Sequence, residues 1–397
     1  MAPTNGGCPG REWQEERFRS AGSIKGIDKV ANHLFSPIRL RSLKLENRIM
    51  VAPMCQYSAQ DGVPNDWHLV HLGSLALGGF GLVMVEATAV SPVGRITHNC
   101  LGLYTDAQEE GFARILSFCR EHGTAAMAIQ LGHAGRKAST QTPANGGAPL
   151  GPSEHPWETL APSALAYDTG WHTPRAIDGP GLMRIKSEMV ESAIRANRLG
   201  FELIELHMAH GYLMHQFLSP LSNHRTDAYG GDLQGRMRFP LECFAAVRAA
   251  LPESRPLGVR ISATDWIEGG WDIEQTVVLA RELERLGCDF IDVSSAGVDP
   301  RQKIKLEPGY QVPFAERVKR ETGMTVIAVG LITGAHQAEA IVADGRADMV
   351  ALARGAMDDP HWGWHAAMAL NEEIRYPEIY ARAAPKAWPG AKAMRQA

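Results

Sequence analysis

Phe201-Glu202-Leu203-Ile204-Glu205-Leu206 runs straight into His207-Met208-Ala209-His210-Gly211-Tyr212-Leu213, and this join decides the fold. A largely apolar run followed at once by two imidazoles and a phenol is how a barrel exposes chemistry, because the strand is buried and only its last residues reach the cleft at the carboxyl-end face. Two hydrogen-bond donors and an acid stand together there.

Working outward, β-rich apolar segments recur at the spacing of strand-helix units. Eight strands are expected: Arg48 to Pro53, Gly81 to Ala89, Ala125 to Leu131, Phe201 to Leu206, Pro256 to Ile261, Phe290 to Val293, Thr325 to Val329 and Asp348 to Leu352. Helix-periodic stretches separate them, among them Ala107 to His122, Leu182 to Arg198, Leu233 to Ala250, Ile273 to Leu286 and Ala335 to Ala343, with Asp272 and Thr333 as N-caps. Strict alternation predicts a parallel sheet. Eight units in a chain longer than the roughly 250 residues of a minimal barrel predict an α/β fold, a (β/α)8 TIM barrel with loop insertions. A doubly wound sheet is the alternative. The longest insertion, about Lys137 to Gly181, is rich in Pro, Gly, Ser and Thr and reads as a lid or a wall over the active face.

Composition narrows the function. Across 397 residues the net charge is only -4, and Lys and Arg are scattered, which leaves no footprint for nucleic acid or anionic lipid and favours a small-molecule partner. Six cysteines stand far apart with no C-x-x-C pair, which argues against zinc ribbons, iron-sulfur clusters and disulfide scaffolds and for a reducing cytoplasm. The first 33 residues alternate charges with Gly and Ser and carry no apolar signal core, and no run has membrane-spanning length.

The strand ends gather Ala52-Pro53-Met54-Cys55-Gln56-Tyr57, Glu86-Ala87-Thr88, Gln130-Leu131-Gly132-His133, the His207 motif and Arg260. Amide, guanidinium, phenol and thiol around an apolar floor suit a planar heterocycle with polar edges. The later strands end in small-residue turns, Val293-Ser294-Ser295-Ala296-Gly297, Val329-Gly330-Leu331-Ile332-Thr333-Gly334 and Ala353-Arg354-Gly355, which let backbone N–H groups approach an anion. Flavin mononucleotide satisfies both halves of the mouth. Two other readings compete: a hydrolase with His133, His207 and His210 as metal ligands, which the spacing disfavours, and a flavin-binding redox sensor acting through Cys55 without turnover. No metal site is expected.

The chain also resembles a family, the old yellow enzymes, FMN-dependent ene-reductases, and in particular their thermophilic-like bacterial branch. The resemblance spans about Phe35 to Tyr380. It is carried by Glu46-Asn47-Arg48-Ile49, Ala52 to Ser58, Asn65-Asp66-Trp67-His68, Gln130 to Lys137, His207 to Leu213, and most specifically Ser219-Pro220-Leu221-Ser222-Asn223-His224-Arg225-Thr226-Asp227 with Tyr229-Gly230-Gly231 and Arg236 to Phe239. It implies that Pro53, Met54, Cys55, Ala87, Gln130 and Arg260 line the isoalloxazine while Gly330, Ala353 and Arg354 hold its phosphate. Cys55 is then a thiol that tunes the flavin, or else a buried inert cysteine.

NADPH or NADH is implied as hydride donor, and activated alkenes as substrates. His207 and His210 would bind an unsaturated carbonyl, Tyr57 would add a second phenol to that pocket, and Tyr212 would protonate the α-carbon. Trp266, Gly269, Gly270 and Trp271 form either a hinged aromatic cover or a plain surface loop. Tyr380-Ala381-Arg382 is similar to the branch's C-terminal segment, in which an arginine reaches a neighbouring subunit's site, and a homodimer or homotetramer is expected. This chain departs there by continuing through Ala383-Ala384-Pro385-Lys386. The expected organisation is a flexible extension over 1–33, an FMN-binding barrel over 34–376, and an irregular tail over 377–397 that is open to an intersubunit role.

Overall fold

The computed structural model describes residues 32–393; all but the last two residues of the expected N-terminal extension lie outside the described residues. Eight parallel strands close on themselves, which excludes the doubly wound alternative. They are β1 (Ile49–Val51), β2 (Leu82–Ala89), β3 (Ala126–Gly132), β4 (Leu203–Met208), β5 (Leu257–Ser262), β6 (Phe290–Ser294), β7 (Thr325–Val329) and β8 (Met349–Leu352). The register Val350↔Ile49, Ala351↔Met50 closes the ring. Strand ends depart from expectation by one or two residues, and one departure matters: β4 runs on through His207 and Met208 instead of stopping at Leu206.

Outward-facing residues of the strands pack against the helices, and inward-facing residues form a second, smaller core of Met50, Met84, Ala128, Leu203, Phe290, Ile327 and Met349. An antiparallel hairpin, Ile38–Leu40 with Leu43–Leu45, adds Leu40 and Leu45 to this inner core. At Gly258 a Cβ would lie 2.4 Å from the Phe290 ring, so glycine is what lets that ring sit in the barrel.

Because strand residues alternate sides, moving two residues up each strand climbs one layer inside the barrel. Leu203 gives way to Glu205 and then His207, Phe290 to Asp292 and Ser294, and Ala128 to Gln130. The registers Gln130↔Glu205, His207↔Arg260 and Asp292↔Arg260 put these polar residues side by side on four adjacent strands. The inner wall therefore turns from apolar to polar with height.

Helices α1 (Asp66–Leu77), α2 (Asp106–His122), α3 (Gly179–Leu199), α4 (Leu213–Leu218), α5 (Leu233–Ala250), α6 (Ile273–Arg285), α7 (Val312–Glu321) and α8 (Ala335–Ala343) return the chain between strands. Side-chain caps mark their starts: Asn65 with His68, Thr105 with Gln108, Asp178, Asp232 and the expected Asp272. Thr333 does not cap α8; that position belongs to Gly334, and the Thr333 N–H is taken by the Gln337 side chain.

The long insertion after β3 is a wall. It carries a short parallel pairing, Leu160–Ala161 with Arg175–Ala176, and Arg225 donates to the carbonyls of Pro162 and Ile177 at 3.1 and 2.6 Å. The loop after β5 packs both of its tryptophans against the protein. Trp271 is buried, its indole N–H donating to Thr276 at 2.7 Å, and Trp266 stands edge-on to Phe314.

Candidate active site

The site forms where β4 ends. His207 projects from the strand itself, and the chain then turns through left-handed His210 (φ 56°) and Gly211 (φ 75°) before α4 begins after Tyr212. The turn is held from β5, where Ser262 accepts the His210 N–H at 2.9 Å and donates its own O–H to the Ala296 carbonyl at 2.8 Å. The His207 and Tyr212 rings lie 5.0 Å apart between centroids, and those of His207 and His210 5.1 Å. Sequence placed these three residues together, and the structure does so.

Protonation states follow from surroundings. The Ala209 N–H points at His207 Nδ1 at 3.3 Å, which leaves the proton on Nε2. Burial, with Arg260 next, drives both imidazoles well below their ordinary pKa, so both are neutral donors. Burial raises the Tyr212 phenol, which keeps it protonated. His210 Nε2 lies 2.8 Å from Ser294 Oγ. The Ser294 hydroxyl also reaches Gln311 Oε1 at 3.4 Å, and His210 Nδ1 lies 3.4 Å from His207 Nε2, so His210 is held between a serine and the other imidazole.

Below them lies a buried floor. Gln130 donates to Glu205 at 2.7 Å and Arg260 Nε lies 3.0 Å from Asp292. One guanidinium cannot keep two buried carboxylates ionised. Burial raises Glu205, with Asp292 adding to it, and burial raises Asp292 against the pull of Arg260. Sequence reasoning missed Glu205 and Asp292; an acid inside an otherwise apolar strand marks each, but its partners come from neighbouring strands. Ser294, read from sequence as part of an anion-binding turn, also lies against His210.

Pro53, Met54, Cys55 and Tyr57 follow β1, and Ala87 lies in β2. Cys55 is held as a thiol: burial and then Glu86 raise it, against a hydrogen bond with Tyr57. The Glu86 carboxylate accepts the Gln56 N–H at 3.1 Å and fixes this loop. Opposite, Gly330 (φ 121°) follows β7, and a Cβ there would meet Gln311 at 2.8 Å. Ala353 follows β8, and the exposed Arg354 has no carboxylate partner among the described residues. Gln311, another residue missed from sequence, is buried behind this arc and donates to the Val329 carbonyl at 3.1 Å.

Arg382 is not brought to this mouth. Its segment, a 3-10 turn over Glu378–Ala383, lines a groove with Leu77 and His122, the last residues of α1 and α2, at the far end of the barrel. Among the described residues no group of three or more His, Cys, Asp or Glu is placed to hold a metal ion.

These donors fit a planar cofactor with an anionic tail. Gln130 retains its amide oxygen and one N–H after serving Glu205, Arg260 contributes fixed charge, and Gly330 and Arg354 offer close backbone and an exposed cation. Fold and site define a barrel oxidoreductase. The sequence pattern of the NADH:flavin oxidoreductase / NADH oxidase family matches residues 33–373, and the chain belongs to that family, in which the old yellow enzymes fall. It is an NAD(P)H-dependent flavin oxidoreductase with FMN as cofactor.

An NADPH dehydrogenase of Geobacillus thermodenitrificans is 42% identical over 351 residues, covering 88% of this chain and 98% of that one. An NADH:flavin oxidoreductase of Gibberella zeae is 43% identical over 360 residues, covering 86% and 87%. Among solved structures, morphinone reductase superposes with a TM-score of 0.72 at 30% identity, covering 87% and 91%.

Proposed function

We propose that the protein reduces the carbon–carbon double bond of an α,β-unsaturated carbonyl or a similarly activated alkene. What carries this reading is the cluster of two neutral imidazoles and a protonated phenol around one ring of space above a polar floor. When bound, FMN supplies the hydride it takes from NAD(P)H. His207 through Nε2 and His210 through Nδ1 hold the substrate oxygen and stabilise the enolate-like charge that develops on it. Tyr212 gives its proton to the α-carbon, and Tyr57 contributes a second phenol to the carbonyl pocket.

Pro53, Met54, Cys55, Ala87, Gln130 and Arg260 would line the ring, and Gly330, Ala353 and Arg354 would hold the phosphate. The five free cysteines among the described residues support a reducing cytoplasm as the proposed location. The 377–397 tail is proposed to serve a neighbouring subunit of a dimer or tetramer, since Arg382 is exposed and remote from its own site. The test is direct. Purified protein should be yellow, bleach anaerobically with NADPH and recolour on cyclohexenone; bleaching without recolouring by any enone, maleimide or nitroalkene would sink the ene-reductase reading.

A further inference from the structure

Lys137 is the last residue of the turn after β3, Gly135–Lys137, and its side chain lies against the end of β4. Its Nζ donates to the carbonyl of His210 at 2.9 Å and to that of Gly297 at 3.0 Å. These carbonyls belong to two backbones in contact: a Cβ on Gly211 would lie 2.0 Å from the Gly297 oxygen, and one on Gly297 would lie 2.5 Å from His210 Cα. Two carbonyl dipoles brought this close repel each other, and the ammonium between them offsets the repulsion. The same Nζ lies 5.2 Å from the centroid of the Tyr212 ring and 4.8 Å from that of Tyr167. Among the described residues no carboxylate pairs with it.

We propose that Lys137 is a positioning residue for substrate protonation: it ties the turn carrying His210 and Tyr212 to the loop after β6, and its charge over the Tyr212 ring favours release of the phenol's proton. The inference rests on the assignment of Tyr212 as proton donor. In that step the Tyr212 O–H bond breaks, a C–H bond forms at the α-carbon whose β-carbon has received hydride, and the phenolate is reprotonated by solvent. A cation on the ring face stabilises the negative charge the phenol acquires.

The groups facing Lys137 are Arg136 from its own turn, Tyr167 from the wall, and His207, His210 and Tyr212 from the end of β4. Burial, and then Arg136, push the Lys137 ammonium down to about 8. A neutral amine still has two N–H groups for the two carbonyls. Rising pH therefore removes the charge and leaves the tie, Lys137→Met removes both, and Lys137→Arg keeps the charge.

The experiment is stopped-flow reoxidation of the NADPH-reduced holoenzyme by cyclohexenone across pH 6 to about 10, a span that brackets the lowered lysine and stays below the ordinary lysine value. The parent rate should fall as pH rises through about 8. Lys137→Arg should lose that fall, and Lys137→Met should be slower by about ten- to a hundredfold at neutral pH with flavin reduction by NADPH largely spared. A lysine 13Cε resonance should titrate near pH 8 in the parent and be missing from Lys137→Arg. Equal slowing of both half-reactions in Lys137→Met, or a parent pH profile unchanged in Lys137→Arg, would overturn the inference. Tyr212→Phe separates the two claims: if it reoxidises at the parent rate the proton-donor assignment fails, whereas if it is slow and Lys137→Met is not, only the role of Lys137 fails.

Discussion

The arc from β3 to β6 and the arc from β7 to β8 line one mouth with opposite materials. The first buries ionisable side chains in the barrel wall: Glu205, His207, Arg260 and Asp292, with Gln130 and Ser294 between them. The second has an apolar inner wall of Ile327, Val329, Met349 and Ala351, and ends in Gly330 and Ala353 with Arg354 exposed. The contrast teaches where a barrel spends its strain. Groups that must keep a set protonation state sit buried in the barrel wall, where each depends on the others, while an anion is met by backbone and a solvated cation at the rim.

Arginine substitutions test the contrast at its largest. Arg260→Leu leaves Asp292 buried beside Glu205 without a counter-charge, and removal of one partner from a buried pair costs about 3–5 kcal/mol, to be read from chemical denaturation. Arg354→Leu should change stability by no more than about 0.5 kcal/mol while weakening FMN binding, measured by flavin fluorescence on dilution. Comparable losses of stability in the two would erase the distinction between the arcs.

Within the first arc, the phenol should dominate turnover. Tyr212→Phe should slow reoxidation of the reduced enzyme by an enone about 10²- to 10³-fold and leave its reduction by NADPH unchanged, because the lost hydroxyl matters only when a proton moves. An equal slowing of both half-reactions would mean that Tyr212 shapes the pocket and does not supply the proton.

A smaller effect belongs to Ser294. Ser294→Ala removes the hydroxyl 2.8 Å from His210 Nε2, the polar partner of that nitrogen, and should shift the balance between the two His210 tautomers. Reoxidation should slow about tenfold, the worth of one neutral hydrogen bond. The nitrogen chemical shifts of His210 should report the tautomer change; unaltered shifts would remove Ser294 from the mechanism.

These tests also measure what the sequence made legible. All eight strands, the caps at Asp272 and the His207–Tyr212 cluster were readable because apolar period and motif spacing are local properties. Glu205 and Asp292 were not, since a carboxylate inside an apolar strand acquires meaning only when Arg260 and Gln130 arrive from neighbouring strands. His207 seemed to lie beyond its strand for a related reason: polarity was taken to end the strand, yet a barrel wall accepts polar residues wherever they point at the cleft. Ser294 looked like a small turn residue until β4 and β6 set His210 against it.

The pH dependence of stability gives the finest test of the buried arc. A carboxyl whose pKa is raised in the folded state binds a proton that the unfolded chain has already lost, so unfolding releases protons and stability falls as pH rises above about 4.5, the ordinary glutamate value. Glu205 should contribute such a slope. Glu205→Gln keeps an acceptor for the Gln130 N–H but cannot ionise, so the decline in melting temperature from mildly acidic to neutral pH should be shallower than in the parent by a few degrees, with a remainder due to Asp292. No slope of this kind is expected from the second arc, where no buried carboxylate lines the wall among the described residues. A decline identical in parent and Glu205→Gln would place the protons elsewhere and leave Arg260 serving two ionised acids.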